Sequence, residues 1–176
     1  MRDPMPDILP IVKYPDPFLR TRTKEVAAID ADLHEMVERM IHTMVAARGI
    51  GLAATQVGWD ARVCIVSDSG EPDDCHVLIN PVVTETWGSE AMEEGCLSFP
   101  GVSAVITRPQ GVRVRYTGLD GAEHELEDDE LLGRCCLHEI DHLDGVTFLG
   151  KMTPADKLAN RRALQRLEER ARAALA

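Results

Sequence analysis

The residues with the clearest chemical potential are His138-Glu139-Ile140-Asp141-His142, which have the H-E-x-x-H pattern. If this segment is helical, the two histidines lie four residues apart on one face, one turn above the other. Two imidazoles in that arrangement can bind one divalent cation, and Glu139 then lies beside the cation, where it can take a proton from water. Two surface histidines on an ordinary helix would give the same pattern, so a third ligand is required from elsewhere in the chain.

The candidates for that ligand are the cysteines and the carboxylates, and Cys96 is the best of them because glycine and proline fix the path of the short segment around it. Cys64 lies in an apolar strand, where cysteine usually packs as a small hydrophobe, and Cys75 lies in a polar loop. With Cys96, His138 and His142 as the only protein ligands, a fourth position stays open for water. The positive charge left on the site would lower the pKa of that water toward neutrality.

A second interpretation involves Cys135, which is three residues before His138 and therefore on the same helix face. Cys96, Cys135, His138 and His142 together would form a closed, structural zinc site. A closed site leaves no function for Glu139 beside the metal. The catalytic interpretation is metal-assisted hydrolysis of an amide or ester, in which Glu139 accepts the proton of the water and later passes it to the leaving group.

Residues 49–56, GIGLAATQ, are small or apolar and end in one amide. They predict either a tight buried turn or a backbone that approaches a ligand, with Gln56 as a hydrogen-bond donor in an apolar setting. Attack on a carbonyl creates an oxyanion, which the Gln56 amide and a backbone N–H near Cys96 could stabilise.

The helices and strands that must position these groups can be predicted from the spacing of the apolar residues and from the capping residues, glycines and prolines between them. Apolar residues at helical spacing predict a helix over about 31–47, capped by Asp30 or Asp32 and ended by Gly49. Strands are predicted at 62–67, 76–84 (with an edge or bulge at Pro81), 111–117 and 122–127. Asp128 or Asp129 is expected to cap the H-E-x-x-H helix and 144–145 to end it, and Thr153-Pro154 opens a final helix to about 174.

This order, with strands in the middle and helices at the ends, predicts a single α+β domain over residues 1–176. Antiparallel or mixed β-sheets would pack around a central metal-binding helix, with a C-terminal helix at the end of the chain. The net charge of −11 argues against a general nucleic-acid binder, so no DNA partner is expected. No apolar run can span a bilayer, and the N-terminal ten residues lack the apolar core of a signal peptide, which predicts a cytoplasmic protein. Five cysteines in such a chain favour free thiols or metal ligation over disulfides.

Three segments, GIGLAATQ (49–56), EGCLS (94–98) and HEIDH (138–142), resemble in order and spacing the three signature motifs of the peptide deformylases. The start ILPIVKYPDP and the final helix are similar to the bacterial form, so the resemblance covers nearly the whole chain. It implies removal of the formyl group from the N-terminal formyl-methionine of newly made polypeptides, with release of formate. It also implies one divalent metal ion per chain, ferrous iron in cells, with zinc, nickel or cobalt able to occupy the site.

The same resemblance implies a function for individual residues. Cys96, His138 and His142 would bind the metal, Glu139 would act as general base and acid, and Gln56 with the Leu97 backbone N–H would hold the formyl oxygen. Glu94 and Arg108 would form an ion pair that supports the Cys96 segment. A narrow cleft at Gly51 and Leu97 would favour formyl over acetyl. The apolar pocket for the methionine side chain would be built from Ile50, Gly51, Met92, Leu131 and Cys135, so that Cys135 is not a ligand.

Two positions depart from the family pattern, and the final helix has an unusual charge. Leu137 replaces a common glutamine before the first metal histidine, and Ser103 replaces a basic residue that some members direct at the substrate backbone. From residue 151 onward seven Lys or Arg stand against three acids, which suggests contact with ribosomal RNA near emerging chains or simply a solvated amphipathic helix. A zincin-type metallopeptidase and a non-catalytic metal-stabilised module stay open as alternatives.

Overall fold

The computed structural model describes residues 8–176. The expectation that the N-terminus carries no signal peptide falls partly on residues 1–7, which lie outside the described residues. The helices and strands are α1 (Ala31–Ala46), β1 (Gly51–Ala53), β2 (Val63–Ser67), β3 (Cys75–Trp87), β4 (Glu90–Gly95), β5 (Ser103–Arg108), β6 (Gly111–Thr117), β7 (Glu123–Asp128), α2 (Leu131–Leu143), α3 (Pro154–Ala159) and α4 (Arg161–Ala174). Short 3₁₀ segments lie at Pro17–Arg20, Ala54–Val57, Pro72–Asp74 and Phe148–Lys151.

The strands form two antiparallel sheets, one of five strands in the order β1-β2-β3-β6-β7 and one of two strands, β4-β5. Helix α2 contacts β1, β2, β6 and β7, so the H-E-x-x-H helix packs on the five-stranded sheet. The predicted α+β fold around this helix is therefore confirmed. The β4–β5 hairpin was missed by the sequence analysis, although the alternating burial of β5 (Ala104, Ile106 and Arg108 inward) is the ordinary mark of a half-buried strand.

Helix α1 begins as predicted, because the Asp30 carboxylate accepts a hydrogen bond from the Leu33 backbone N–H (2.9 Å). The helix runs to Ala46, within one residue of the predicted end, but the predicted capping residue is wrong. The C-cap is Ala47, and the residue in the left-handed region is Arg48 (φ 56°), not Gly49. A Cβ at Gly49 would lie 2.8 Å from the Leu97 Cδ1 atom, so a larger residue here would require the Leu97 side chain to move.

Replacing Asp30 by alanine is expected to lower the free energy of unfolding by about 1 kcal/mol, because the Leu33 N–H loses its cap. For a chain of this length that corresponds to a fall in Tm of about 2–4 °C. Asp32→Ala removes an equal charge from the first turn but no cap hydrogen bond, so thermal denaturation should show a smaller loss. Equal losses in the two variants would contradict the capping assignment.

The H-E-x-x-H helix is stabilised at its start from a position just outside it. The N-cap is Glu130, whose side chain makes no cap hydrogen bond, so the expectation that Asp128 or Asp129 is the cap residue is wrong. Asp128 nevertheless accepts hydrogen bonds from the backbone N–H groups of Glu130 (2.9 Å) and Gly133 (2.6 Å). The helix ends at Asp144, and Gly145 follows in the left-handed region (φ 75°), as predicted.

The C-terminal segment is two helices instead of the single helix predicted. Thr153 caps α3, and Pro154 lies in its first turn. The helix is interrupted at Asn160, after which α4 begins. The Asn160 amide donates to the Ser103 carbonyl (2.8 Å), which ties the junction to β5. Buried Leu167 packs α4 into a second apolar cluster that contains Phe99.

Two further predictions concern the irregularity at Pro81 and the state of the cysteines. The register of β3 against β6 shifts between Ile79 and Val82, which is the irregularity predicted at Pro81. The segment before α1 is hydrogen-bonded to two neighbouring segments, since the Val12 N–H donates to the Gln56 carbonyl and the Tyr14 N–H to the Ser98 carbonyl. All five cysteines are free. Within residues 8–176, no helix is long and apolar enough to cross a membrane.

Candidate active site

Three predicted ligands converge where α2 passes the turn that follows β4. Helix α2 presents His138 and His142 one turn apart, and Cys96 directly follows the last residue of β4. Cys96 Sγ lies 3.3 Å from His142 Nε2, and one ligand atom from each of the three residues lies within 4.8 Å of the others. Among residues 8–176 this is the only group of three or more potential ligands that is close enough to hold one ion.

The donor set suits a transition-metal cation, because a thiolate and two imidazoles are the ligands that zinc and iron take in proteins. His138 Nδ1 lies 3.0 Å from Glu94 Oε2, which leaves the other ring nitrogen for the metal, as in many histidine sites. Burial holds the pKa of His142 well below its ordinary value.

The rival set of four ligands does not form. The Cys135 thiol donates to the Ile50 carbonyl (3.3 Å) and lies outside the group of three. Burial raises the pKa of Cys135 well above its ordinary value, which disfavours the thiolate that a metal would need. The side chain lines the neighbouring pocket instead.

A buried charge network positions His138 from behind. The Arg108 guanidinium makes two hydrogen bonds to Glu94 (2.6 and 3.0 Å) and a third to Asp141 (2.7 Å). Burial would raise the pKa of Glu94, but the hydrogen bonds from His138 and Arg108 lower it to about 2. Glu94 is thus a permanent anion that orients the ring of His138, and the ion pair expected from the family resemblance is present.

Arg134 belongs to this network and was missed by the sequence analysis. Its Nε lies 2.9 Å from Glu94 Oε1, an ion pair without hydrogen-bond geometry, and its Nη2 donates to the carbonyls of Met92 (3.3 Å) and Ile106. An arginine on the apolar side of the metal-binding helix was the available signal, because such a residue must find partners when it is buried.

Replacing Glu94 by glutamine is expected to weaken metal binding about 10- to 100-fold, because His138 loses the anion that orients it. The adjacent Glu93→Gln is the matched control, since Glu93 is exposed and, among residues 8–176, its side chain is hydrogen-bonded only to the Ser103 hydroxyl. Competition with a chromophoric chelator gives the two affinities. If both variants bind the metal equally well, Glu94 has no such function.

Gln56 is buried, and its side chain is held by three contacts. Its Oε1 accepts a hydrogen bond from the Ala53 N–H (2.9 Å), which fixes the orientation of the amide. The Nε2 group therefore points toward the Cys96 segment, where it donates to Ser98 Oγ (3.2 Å) and lies 3.6 Å from Cys96 Sγ. A donor held this close to Cys96 is placed to reach a substrate oxygen beside the ligand group, once it releases or shares one of these two contacts.

Glu139 is buried at the same place. Burial raises the pKa of its carboxyl to about 7, against the lowering effects of His138 and Arg108, and Glu139 Oε2 has no hydrogen-bond partner within the described part of the chain. A carboxylate whose pKa lies near neutrality can both accept and return a proton. Its free oxygen is available to a water or a substrate.

A pocket of about 450 Å³ opens onto Glu139 and His138. Leu97 and Gln56 also line it. Arg48 and Glu93 line it as well, although the sequence analysis assigned neither to the site. Leu137, which stands where the family commonly has glutamine, is partly buried and packs against the apolar cluster that includes Leu132 and Ile140. The change at this position therefore affects packing. Every residue expected to form the methionine pocket is part of the lining, namely Ile50, Gly51, Met92, Leu131 and Cys135.

Comparison with known proteins agrees with this geometry. The family model described as polypeptide deformylase matches residues 8–158. The chain belongs to the polypeptide deformylase family. The peptide deformylase of Stenotrophomonas maltophilia is 41% identical over 160 residues, which cover 89% of this chain and 94% of the relative. The one from Chromobacterium violaceum is 44% identical over 146 residues, covering 83% and 87%.

The fold is that of the family as well. The crystal structure of a peptide deformylase from Legionella pneumophila superposes with a TM-score of 0.88 at 34% identity and covers 94% of this chain and 98% of its own. The family is metal-dependent, in agreement with the group formed by Cys96, His138 and His142.

Proposed function

We propose that this chain is a cytoplasmic metal-dependent hydrolase, one catalytic domain over residues 1–176, that removes the formyl group from the N-terminal formyl-methionine of nascent polypeptides. The observation that carries this proposal is the position of Glu139, which is buried beside the Cys96, His138 and His142 group at a pocket of limited volume. Family membership supports the choice of reaction, and the residue functions below are part of the proposal.

Cys96, His138 and His142 hold the cation, which when bound acts as a Lewis acid that polarises the formyl carbonyl and lowers the pKa of a water. Gln56 donates through Nε2 to the oxygen of the formyl group, and the Leu97 backbone N–H supplies a second donor. Both donors stabilise the negative charge that develops on this oxygen as water adds to the formyl carbon.

Glu139 carries the proton through the reaction. Its carboxylate takes one proton from the attacking water, whose oxygen bonds to the formyl carbon. When the carbon–nitrogen bond breaks, Glu139 gives that proton to the departing nitrogen, so the products are formate and a peptide with a free amine. The free Oε2 atom fits this transfer because no internal hydrogen bond has to break first.

The pocket explains why formyl would be preferred over larger acyl groups. Gly51 lies so close to Glu139 that an added Cβ would come 2.9 Å from the Glu139 Cδ atom. Little space is left between Gly51 and Glu139, beside which the formyl carbon would lie. A methyl group in place of the formyl hydrogen would therefore clash with Gly51 or Leu97. The apolar lining, in contrast, suits the methionine side chain.

Formate release tests the proposal. The protein is purified without oxygen, its metal content is measured, and formyl-Met-Ala-Ser, acetyl-Met-Ala-Ser and unformylated Met-Ala-Ser are supplied in turn. Formate from the first substrate and no reaction of the other two is expected. Absence of formate from the fully metallated protein would overturn the proposal, and cleavage of the unformylated peptide would favour the metallopeptidase alternative.

For the metal we propose ferrous iron in cells, with zinc, nickel or cobalt able to replace it after purification. A thiolate with two imidazoles accepts all of these ions, so geometry does not choose among them. Metal analysis of protein purified with and without oxygen tests this choice. Iron in the anaerobic preparation, and its loss in air together with the activity, is the expected result.

A contact with the ribosome is proposed for the C-terminal helices. Arg161, Arg162 and Arg166 are exposed on α4, whereas Leu167 anchors the opposite side. Lys151, counted with this basic group in the sequence, instead lies 3.3 Å from Asp141. Changing the three arginines to glutamine should weaken co-sedimentation with ribosomes, more so at low salt, while formate release from a tripeptide stays at the wild-type rate. Equal co-sedimentation of variant and wild type would contradict the contact.

A further inference from the structure

One charged residue of the pocket has no part in the chemistry proposed above. Arg48 lies between α1 and β1, is exposed, and lines the same pocket as Glu139. We propose that Arg48 determines substrate preference by favouring an acidic side chain at one of the two residues that follow formyl-methionine. This inference rests on the proposed deformylase function and extends it to the sequence of the substrate.

The backbone at Arg48 favours a different residue type. Its φ of 56° is in the left-handed region, where glycine or asparagine is usual after a helix and where a longer side chain is disfavoured. Glycine, which suits this conformation, is found at position 49, one residue after the position that adopts it. An arginine here is therefore not explained by the needs of the turn.

Apart from Glu139, whose Oε2 has no partner among residues 8–176, the acidic groups of the pocket already have partners. Glu94 is paired with Arg108 and Arg134, and Glu93 accepts a hydrogen bond from the Ser103 hydroxyl (2.8 Å). The Arg48 guanidinium makes no ion pair or side-chain hydrogen bond with any residue from 8 to 176. It is the positive group that this pocket leaves available to a ligand.

The position of the substrate follows from the position of the pocket. If the methionine side chain occupies the apolar lining and the formyl carbon lies beside Glu139, the rest of the peptide must leave through the open side, where Arg48 is exposed. The chain as a whole carries a net charge of −11, which repels acidic peptides. A local arginine at the exit offsets that repulsion for substrates whose acidic side chain comes close to it.

A simpler explanation is that Arg48 only stabilises the end of α1, where a positive charge interacts favourably with the helix dipole. The two explanations differ in what Arg48→Gly does. Glycine fits the left-handed backbone, so a specificity function predicts a changed substrate preference with no loss of stability. A function limited to the helix end predicts a lower Tm and an unchanged preference.

The experiment measures kcat/KM for formyl-Met-Asp-Ser and formyl-Met-Lys-Ser, and for formyl-Met-Ala-Asp and formyl-Met-Ala-Lys, at low and high salt. In one of the two pairs, the wild-type ratio of acidic to basic substrate should fall about threefold in Arg48→Gly, the size expected of one exposed charge pair, and the difference should shrink in salt. Arg48→Lys should retain the wild-type ratio. Arg115→Gln removes an equal charge from exposed β6, outside the pocket, and should leave both ratios unchanged.

Ratios that are the same in wild type and Arg48→Gly would overturn the inference, and so would an equal change in Arg115→Gln, because the effect would then come from net charge alone. Formyl-Met-Ala-Ser serves as the reference substrate in every preparation. If the wild type releases no formate from it, the proposed function itself fails. If it does and the ratios do not move, only the assignment of Arg48 fails.

Discussion

Glu139→Gln is expected to lower kcat for formate release about 10²- to 10⁴-fold, the usual contribution of a positioned general base and acid. Glutamine has nearly the same shape but cannot take the proton of the attacking water. The metal content should stay at the wild-type level, because the group of three ligands does not include Glu139. Single-turnover formate release together with metal analysis of the same preparation measures both quantities.

The stability of this variant distinguishes loss of chemistry from loss of fold. Glu139 is buried with one oxygen unpaired, and removing a buried charge of this kind does not destabilise the folded state. The Tm of Glu139→Gln should therefore equal or exceed that of the wild type. Retention of a tenth or more of the wild-type kcat would contradict the assignment of Glu139, and unchanged activity would favour the non-catalytic metal module.

The second large effect is expected from a single methyl group. In Gly51→Ala the new Cβ would lie 2.6 Å from Cys135 Sγ and 2.9 Å from Glu139 Cδ, so both side chains must move. Backbone motion is restricted because Gly51 is paired with Val66 in β1 and β2. Displacing the proton carrier by about an ångström can cost on the order of 100-fold in rate, and a loss of kcat/KM of that size is expected in the formate assay.

Gly150→Ala is the matched control, since a Cβ there meets nothing within 4 Å. It should leave both the rate and the Tm close to the wild-type values. The metal content of Gly51→Ala should also be unchanged, because Gly51 contacts the base and not the ligands. Wild-type activity in Gly51→Ala would show that Glu139 has room to move, and the explanation of formyl selectivity would have to be abandoned.

Local signals predicted much of the fold and of the candidate site. Helix α1 was predicted from its apolar spacing and its Asp30 cap, and β6 from its alternation, because these signals act within one element. The pair His138 and His142 was recognisable for the same reason, since residues four apart on a helix must share a face. Cys96 and Gln56 were candidates from their residue types alone, but assigning them to one site with the histidines rested on the family resemblance, because nothing in the local sequence relates segments so far apart.

Other features depend on packing between distant segments and could not be read from a local pattern. The left-handed conformation of Arg48 and the break at Asn160 are not recorded by helix periodicity, and at Asn160 the side-chain amide donates to the Ser103 carbonyl of β5. Arg134 reaches the site only because the β4–β5 hairpin brings Glu94 and the Met92 and Ile106 carbonyls over α2.

The metal-binding helix shows the same division. Its two histidines and its glutamate follow from helical geometry, whatever surrounds them. The exclusion of Cys135 from the ligand set depends on the Ile50 carbonyl, which comes from another part of the chain and accepts its thiol hydrogen. Residue types and their spacing therefore determine which chemistry is possible at this site, and only the folded chain determines which side chains reach the metal, because that choice depends on distances between elements far apart in sequence.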